Sequence, residues 1–264
     1  MIIIIELNKI YNEDCFVTMK RMDNATCDII LTSPFYNTNK KQGKHNTLMN
    51  TEMNGAPYIR YDVHTDSMTD KEYCDFTVKL FDEFNRILKK NGVVLYNLSY
   101  GNNNREGMFK TVNAIISNTD FTIADMICWK KKSALPNNCS SNKLTRIWET
   151  IFVFCRREDV ETFHCNKEIV STRKTGQKSY SNILNYIEAK NNDEVCPYNR
   201  ATFSTELCYR LLEIYAPENS VVYDPFIGTG TLAVACKKKG FNFIGSEISK
   251  NQCDWAEDRL LNSQ

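Results

Sequence analysis

An α/β fold with a mostly parallel, doubly wound sheet is predicted by three observations. Short runs rich in β-branched and aromatic residues alternate with segments of helical period along most of the chain. A glycine-rich turn, Gly228-Thr229-Gly230, joins one such run to a helical segment, as in sheets whose ligands lie beyond the carboxyl ends of the strands. Hydrophobic residues at 42% and charged residues at 25% are average for soluble folded chains, so the 264 residues are expected to fold. Single cores stop growing at roughly 250 to 300 residues, so a multidomain reading is not favoured.

Taken in order, the chain first presents Met1-Ile2-Ile3-Ile4-Ile5, which Glu6 stops far short of the ~20 apolar residues of a membrane span. No basic region precedes it and no small-residue cleavage site follows, so a signal peptide is not expected. Asp28-Ile29-Ile30-Leu31 reads as a buried strand. Over residues 69–90, Tyr73, Phe76, Leu80, Phe81, Phe84, Ile87 and Leu88 keep an approximate 3.6 period, with Thr69 and Asp70 as cap candidates and Gly92 beyond the end. Gly92-Val93-Val94-Leu95-Tyr96 is the next strand, residues 108–117 the next helix, and Ile151-Phe152-Val153-Phe154 a third strand. A helix at 204–215, strand Val221-Val222-Tyr223, helix at 231–239, strand Phe241-Asn242-Phe243-Ile244 and helix at 250–261 complete the alternation. Residues 37–66 and 161–197 interrupt it and are expected to be functional loops or an inserted recognition region.

Composition narrows the chemistry. Eleven cysteines without a Cys-x-x-Cys pair, in a long chain with no export signal, suit a reducing cytoplasm better than a disulfide scaffold. His45, His64 and His164 are scattered, so no metal site is expected. The net charge is only +1, yet residues 129–182 carry eleven lysines and arginines against five acids, an excess of six. Such an excess belongs either to a polyanion-binding face or to a solvated surface of mixed charge.

Two constellations carry chemistry. In Val221-Val222-Tyr223-Asp224-Pro225-Phe226-Ile227-Gly228-Thr229-Gly230-Thr231 a strand enters a glycine turn and then a helix, where the backbone can approach a ligand closely. Glu247, at the tip of the following strand, is placed to accept hydrogen bonds from ribose hydroxyls. No Gly-Lys-Ser/Thr follows the glycines, which argues against a nucleoside triphosphate. The second constellation, Asp28-Ile29-Ile30-Leu31-Thr32-Ser33-Pro34-Phe35-Tyr36-Asn37, ends a buried strand in a rigid polar-proline-aromatic turn. Its acceptors and aromatic ring suit the gripping of a planar heterocycle that bears an amino group, although a plain strand-end turn with a core aromatic has the same composition.

Together these segments resemble the exocyclic amino DNA methyltransferases, in the permuted class whose catalytic segment precedes its cofactor segment. Thr32-Ser33-Pro34-Phe35-Tyr36-Asn37 is similar to the family's Ser-Pro-Pro-Tyr motif, and residues 224–231 to its S-adenosylmethionine motif. Arg86-Ile87-Leu88-Lys89-Lys90-Asn91-Gly92, Ile127-Cys128-Trp129-Lys130-Lys131, Ala201-Thr202-Phe203-Ser204 and Asn12-Glu13-Asp14-Cys15 resemble further family segments in the same order. The chain departs from the pattern in Phe35, where the second proline is usual, in Asn199-Arg200, where His-Pro is common, and in Ser204, where proline is common.

The resemblance implies a Rossmann-like methyltransferase fold in one domain, with a catalytic half at 1–160, a target-recognition insertion at about 161–197 and a cofactor-binding half at 198–264. It implies Ser33, Pro34, Phe35 and Tyr36 as catalytic residues, with Tyr36 as the stacking ring. It implies Asp14, Cys15, Thr202, Phe203, Asp224, Phe226, Gly228, Gly230, Thr231 and Glu247 as the S-adenosylmethionine site. Candidate DNA contacts are Arg173, Lys174, Gln177 and Lys178 in the insertion, and Asn37, Lys40 and Lys41 after the catalytic turn. The implied partner is double-stranded DNA, and the resemblance allows a homodimer and a cognate restriction nuclease. Ser at the first tetrad position leans the target toward N4 of cytosine, with N6 of adenine as the alternative. An RNA methyltransferase and a non-catalytic nucleic-acid-binding module are the remaining readings.

Overall fold

The computed structural model describes residues 5–37, 68–101, 104–134, 136–138, 140–194, 196–199 and 202–263. The elements are β1 (Lys9–Tyr11), α1 (Cys15–Arg21), β2 (Cys27–Thr32), α2 (Asp70–Ile87), β3 (Leu88–Leu98), α3 (Gly107–Asn118), β4 (Phe121–Lys131), β5 (Trp148–Arg156), β6 (Ile169–Thr172), β7 (Lys178–Tyr180), β8 (Tyr186–Ala189), α4 (Thr205–Tyr215), β9 (Val221–Asp224), α5 (Thr231–Lys239), β10 (Asn242–Ser246) and α6 (Lys250–Asn262). Eight strands form one sheet in the order β1-β10-β9-β2-β3-β5-β4-β8, and β6 and β7 form a separate antiparallel pair. Within the large sheet every strand but β5 runs the same way. The predicted α/β class and mostly parallel sheet are therefore observed.

Strand periodicity explains the two layers of helices. Ile29, Leu31, Val93, Leu95, Ile151, Val153 and Val222 point to one face, where they pack with α4, α5 and α6. Their neighbours Ile30, Val94, Tyr96, Phe152, Phe154, Tyr223 and Ile244 point to the other, beneath α1, α2 and α3. Because both faces are covered, the strands read as nearly continuous apolar runs.

The structure departs from the sequence expectations in three places. The helix expected over 69–90 starts as foreseen, with Thr69 and Glu72 forming a reciprocal capping box, but stops at Ile87. There Arg156 donates to the carbonyls of Asn85, Leu88 and Lys89 at 2.6, 2.5 and 2.9 Å, and Leu88 pairs with Cys27 as the first residue of β3. A distant guanidinium thus takes the Asn85 carbonyl that another helical turn would have used, and those of the two residues after the helix. The stretch 161–197, expected to be aperiodic, holds the β6–β7 hairpin and the edge strand β8, whose Ile187 and Ala189 are buried. The short elements β1 and α1 were not foreseen.

Phe81 is fully buried on α2, with ring centroids 5.2 Å from those of Phe121 and Phe154 and 5.4 Å from that of Tyr96. Replacing it with alanine should cost about 3–5 kcal/mol of folding stability, read as a lower urea midpoint at an unchanged slope.

Candidate active site

The carboxyl edge of the sheet collects the chemistry-bearing residues. Asp14 follows β1, Ser33 to Tyr36 follow β2, Asn97 lies near the end of β3, Lys131 ends β4, Asp224 ends β9 and Glu247 follows β10. Glu149 lies at the start of β5, which runs in the opposite direction and so reaches the same edge. A cavity of 290 Å³ opens there, lined by Asp14, Cys15, Ser33, Phe35, Thr202, Phe203, Phe226, Gly228, Thr231 and Glu247 among others.

Two turns build the cavity. Asp14 caps α1 by accepting from Phe16 N at 2.8 Å, which sets Cys15 at the first helical position against the cavity. Gly228 has φ +53, a left-handed conformation that favours glycine, and its N–H donates to Glu247 Oε2 at 3.1 Å. Ser249 N donates to Glu247 Oε1 at 2.8 Å, so two backbone donors orient this carboxylate. Phe35 packs among Tyr73, Phe76 and Phe226, with centroids 5.3, 5.5 and 6.0 Å apart, and forms part of the apolar wall.

Two expected cofactor residues, Asp224 and Gly230, act behind the surface rather than on it. Asp224 is buried; its Oδ1 accepts from Thr32 Oγ1 at 2.7 Å and from Phe226 N at 3.0 Å. Burial, opposed by these hydrogen bonds and reinforced by nearby Glu247, pushes its carboxyl up to about 7. Gly230 is the left-handed N-cap of α5, and a β-carbon there would stand 2.7 Å from Ala256 Cβ on α6. Its place in the structure is therefore a helix–helix contact, and a larger side chain would push α6 away from the turn.

The turn at 33–37, expected to be catalytic, divides in the same way. Ser33 and Phe35 line the cavity. The Tyr36 hydroxyl lies 2.9 Å from Ser33 Oγ and donates to Glu149 Oε2 at 3.0 Å, while Asn97 Nδ2 donates to it at 2.5 Å. Asn97 and Glu149 were not singled out in the sequence, where each is an isolated polar residue beside an apolar run. Gln252, likewise missed, and Asn199, noted in the sequence only as a departure from the family pattern, are joined by a 2.8 Å hydrogen bond and also line the cavity.

Asn37 is corrected as a DNA contact. It is buried, its side-chain amide donates to Met68 O at 3.0 Å, and its main-chain carbonyl accepts from Asn104 Nδ2 at 3.1 Å, so it fastens the end of the 33–37 turn. Lys40 and Lys41 lie outside the described residues. Arg173, Lys174, Gln177 and Lys178 are all exposed at the tip of the β6–β7 hairpin, which is closed by Arg173 N to Gln177 O at 2.8 Å.

The ten described cysteines are free, and burial raises the thiol of each, Cys15 to about 12. No thiolate nucleophile is prepared among them. Among the described residues no group of three or more His, Cys, Asp or Glu is arranged to hold a metal ion, and no helix is long and apolar enough to cross a membrane.

A family model described as DNA methylase matches residues 27–258. The chain belongs to this family. The DNA methylase is 29% identical to the Type II methyltransferase M.HinfI of Haemophilus influenzae, over 96% of this chain and 68% of that one. It is 23% identical to the Type II methyltransferase M.BglII of Bacillus subtilis, over 95% and 68% respectively. Among solved structures, the PvuII DNA methyltransferase, titled cytosine-N4-specific, superposes with a TM-score of 0.64 at 15% identity, over 99% of this chain and 95% of that one. M1.HpyAVI superposes with a TM-score of 0.59 at 19% identity, over 96% and 98%. These likenesses show that the methylase shares the Rossmann-like fold of solved DNA methyltransferases.

Two outcomes follow from the turn. Asp224→Asn keeps an acceptor for Thr32 and Phe226 but has no charge to bury. With a raised folded-state value, the parent's contribution from Asp224 is fully present below the ordinary carboxyl range and lost as pH rises through about 7. The variant should therefore gain stability relative to the parent between about pH 4 and 7, as read from melting temperatures across that range. Gly230→Val should lower the melting temperature even without any ligand, because it forces α5 from α6.

Proposed function

We propose that this DNA methylase moves the methyl group of S-adenosylmethionine to the exocyclic amino nitrogen of a base flipped out of double-stranded DNA, with N4 of cytosine as the target. The observation that carries the reading is that one cavity is lined both by Ser33 of the catalytic turn and by Gly228 and Glu247 of the glycine turn. Its volume is near the lower end of small-molecule sites, roughly 300 to 1,000 Å³. The donor set fits the cofactor: Glu247 is an acceptor-only carboxylate, the group that vicinal ribose hydroxyls require, and Phe226 and Phe203 offer apolar surface to an adenine ring.

Bound S-adenosylmethionine supplies a methyl group made electrophilic by its sulfonium. The chain's own residues do the positioning. Ser33 Oγ and the Pro34 carbonyl accept from the two amino N–H groups, which turns the nitrogen lone pair away from the heterocycle. Tyr36 stacks on the flipped base, recovering part of the few kcal/mol spent on unstacking. No covalent enzyme intermediate is required, in keeping with the protonated thiols. Ser33 at the head of the tetrad and the likeness to a fold titled cytosine-N4-specific support cytosine; N6 of adenine is the alternative. The exposed basic hairpin tip supports target recognition within 161–197, since a two-stranded ribbon fits the major groove.

Nucleosides from DNA treated with the protein and S-adenosylmethionine should contain N4-methylcytosine by mass spectrometry; N6-methyladenine instead would establish the alternative. Glu247→Ala should weaken S-adenosylmethionine binding by about 1.5–3 kcal/mol per lost charge-assisted hydrogen bond in calorimetry, and unchanged affinity would sink the ribose assignment. Alanine at Arg173 or Lys174 should lower the salt slope of DNA binding by about one unit for a phosphate contact, or relax one position of the methylated site for a base contact.

A further inference from the structure

We infer that Glu149 is a positioning residue which fixes the direction of a hydrogen-bond chain and so makes Ser33 an acceptor toward the target amino group. The inference rests on the reading of Ser33 given above. An ionised carboxylate has no proton to give, so every hydrogen bond it makes is one it accepts. Glu149 Oε2 therefore takes the single proton of the Tyr36 hydroxyl across 3.0 Å. With that proton committed, the 2.9 Å contact between Tyr36 and Ser33 has Ser33 as donor. The Ser33 hydrogen then points away from the cavity that Ser33 lines, leaving its oxygen to offer lone pairs there. An acceptor is what an amino N–H requires, and a hydroxyl turned the other way would present its hydrogen instead.

The surroundings keep Glu149 in place. Its other oxygen pairs with Lys131, whose ammonium also lies 5.0 Å from the ring centroid of buried Trp129. Trp129 and Glu149 face each other across the antiparallel β4–β5 pair, and the Glu149 side chain is only 13% exposed. Asn97, 5% exposed, donates through Nδ2 to Glu149 Oε2 at 3.0 Å, to Tyr36 Oη at 2.5 Å and to Ser33 Oγ at 3.3 Å. Its two amide hydrogens are shared among these three oxygens, so the nitrogen holds them together and offers no competing acceptor for the Tyr36 proton. Lys131, Asn97 and Glu149 come from three strands, so the polarity is set by the sheet and not by the catalytic turn itself.

The test is a cycle on the full chain. Glu149→Gln keeps the shape, yet its amide can donate to Tyr36 and reverse the chain. Single-turnover methyl transfer at saturating DNA and S-adenosylmethionine should fall about 10- to 100-fold, while S-adenosylmethionine affinity by calorimetry stays within about threefold of the parent. Ser33→Ala and the double variant Ser33→Ala with Glu149→Gln should then react at the same rate, because Glu149 acts only through Ser33. Tyr36→Phe, which keeps the ring and cuts the chain, should lose a similar factor and be insensitive to Glu149→Gln. An active parent with an unaffected Glu149→Gln, losses that multiply in the double variant, or a collapse of cofactor affinity in Glu149→Gln would overturn the inference alone. A Ser33→Ala variant as fast as the parent, or a parent that methylates no DNA, would overturn the reading of Ser33 and the inference with it.

Discussion

The hydrogen bond from Thr32 Oγ1 to Asp224 Oδ1 joins residues 192 apart in sequence, and the arrangement of the site depends on it. Strands β2 and β9 pair over only two residue positions, Ile29 with Val222 and Ile30 with Tyr223. Asp28 clamps the other end of this short seam, accepting from Val221 N at 2.8 Å and from Lys89 Nζ at 2.8 Å. The catalytic turn leaves one strand immediately after Thr32, and the glycine turn leaves the other immediately after Asp224. A single buried bond therefore sets the distance between the turn proposed to receive the base and the turn proposed to receive the donor. It carries a cost, since the carboxylate that accepts it is taken out of water beside a second carboxylate, Glu247.

Positions in the two turns divide between touching the cavity and holding those that do. Gly228 faces the cavity, and Gly230, two residues on, faces Ala256. Ser33 and Phe35 face the cavity, whereas Asn37 is spent on Met68 and Asn104. Arg259 on α6 extends the pattern: it donates to Thr229 O at 2.7 Å and Thr231 Oγ1 at 3.1 Å and pairs with Asp193 and Glu194 in the segment before α4. Such supporting contacts place side chains without conformational search at the moment of reaction, which suits a transfer whose barrier falls chiefly by orientation.

Local sequence determined the class of the fold, the cores of most strands and helices, and the two turns that carry the chemistry. Those features have local causes: alternation along a strand, the 3.6 period of a helix such as α2, and glycines where the backbone turns left-handed. What only the tertiary structure decided has non-local causes. Helix α2 ends at Ile87 where Arg156, from another strand, takes the carbonyl of Asn85 together with those of Leu88 and Lys89 just beyond it. Strand β8 exists because β4 offers it an edge. Asn97 reaches Tyr36 from the carboxyl end of β3 beside β2, and Glu149 does so because β5 runs against its neighbours and returns its first residues to the same edge, so partners separated by 61 and 113 positions share one proton network. A hydrogen bond between side chains leaves no periodic trace in the sequence, since only the folded sheet brings its two ends together.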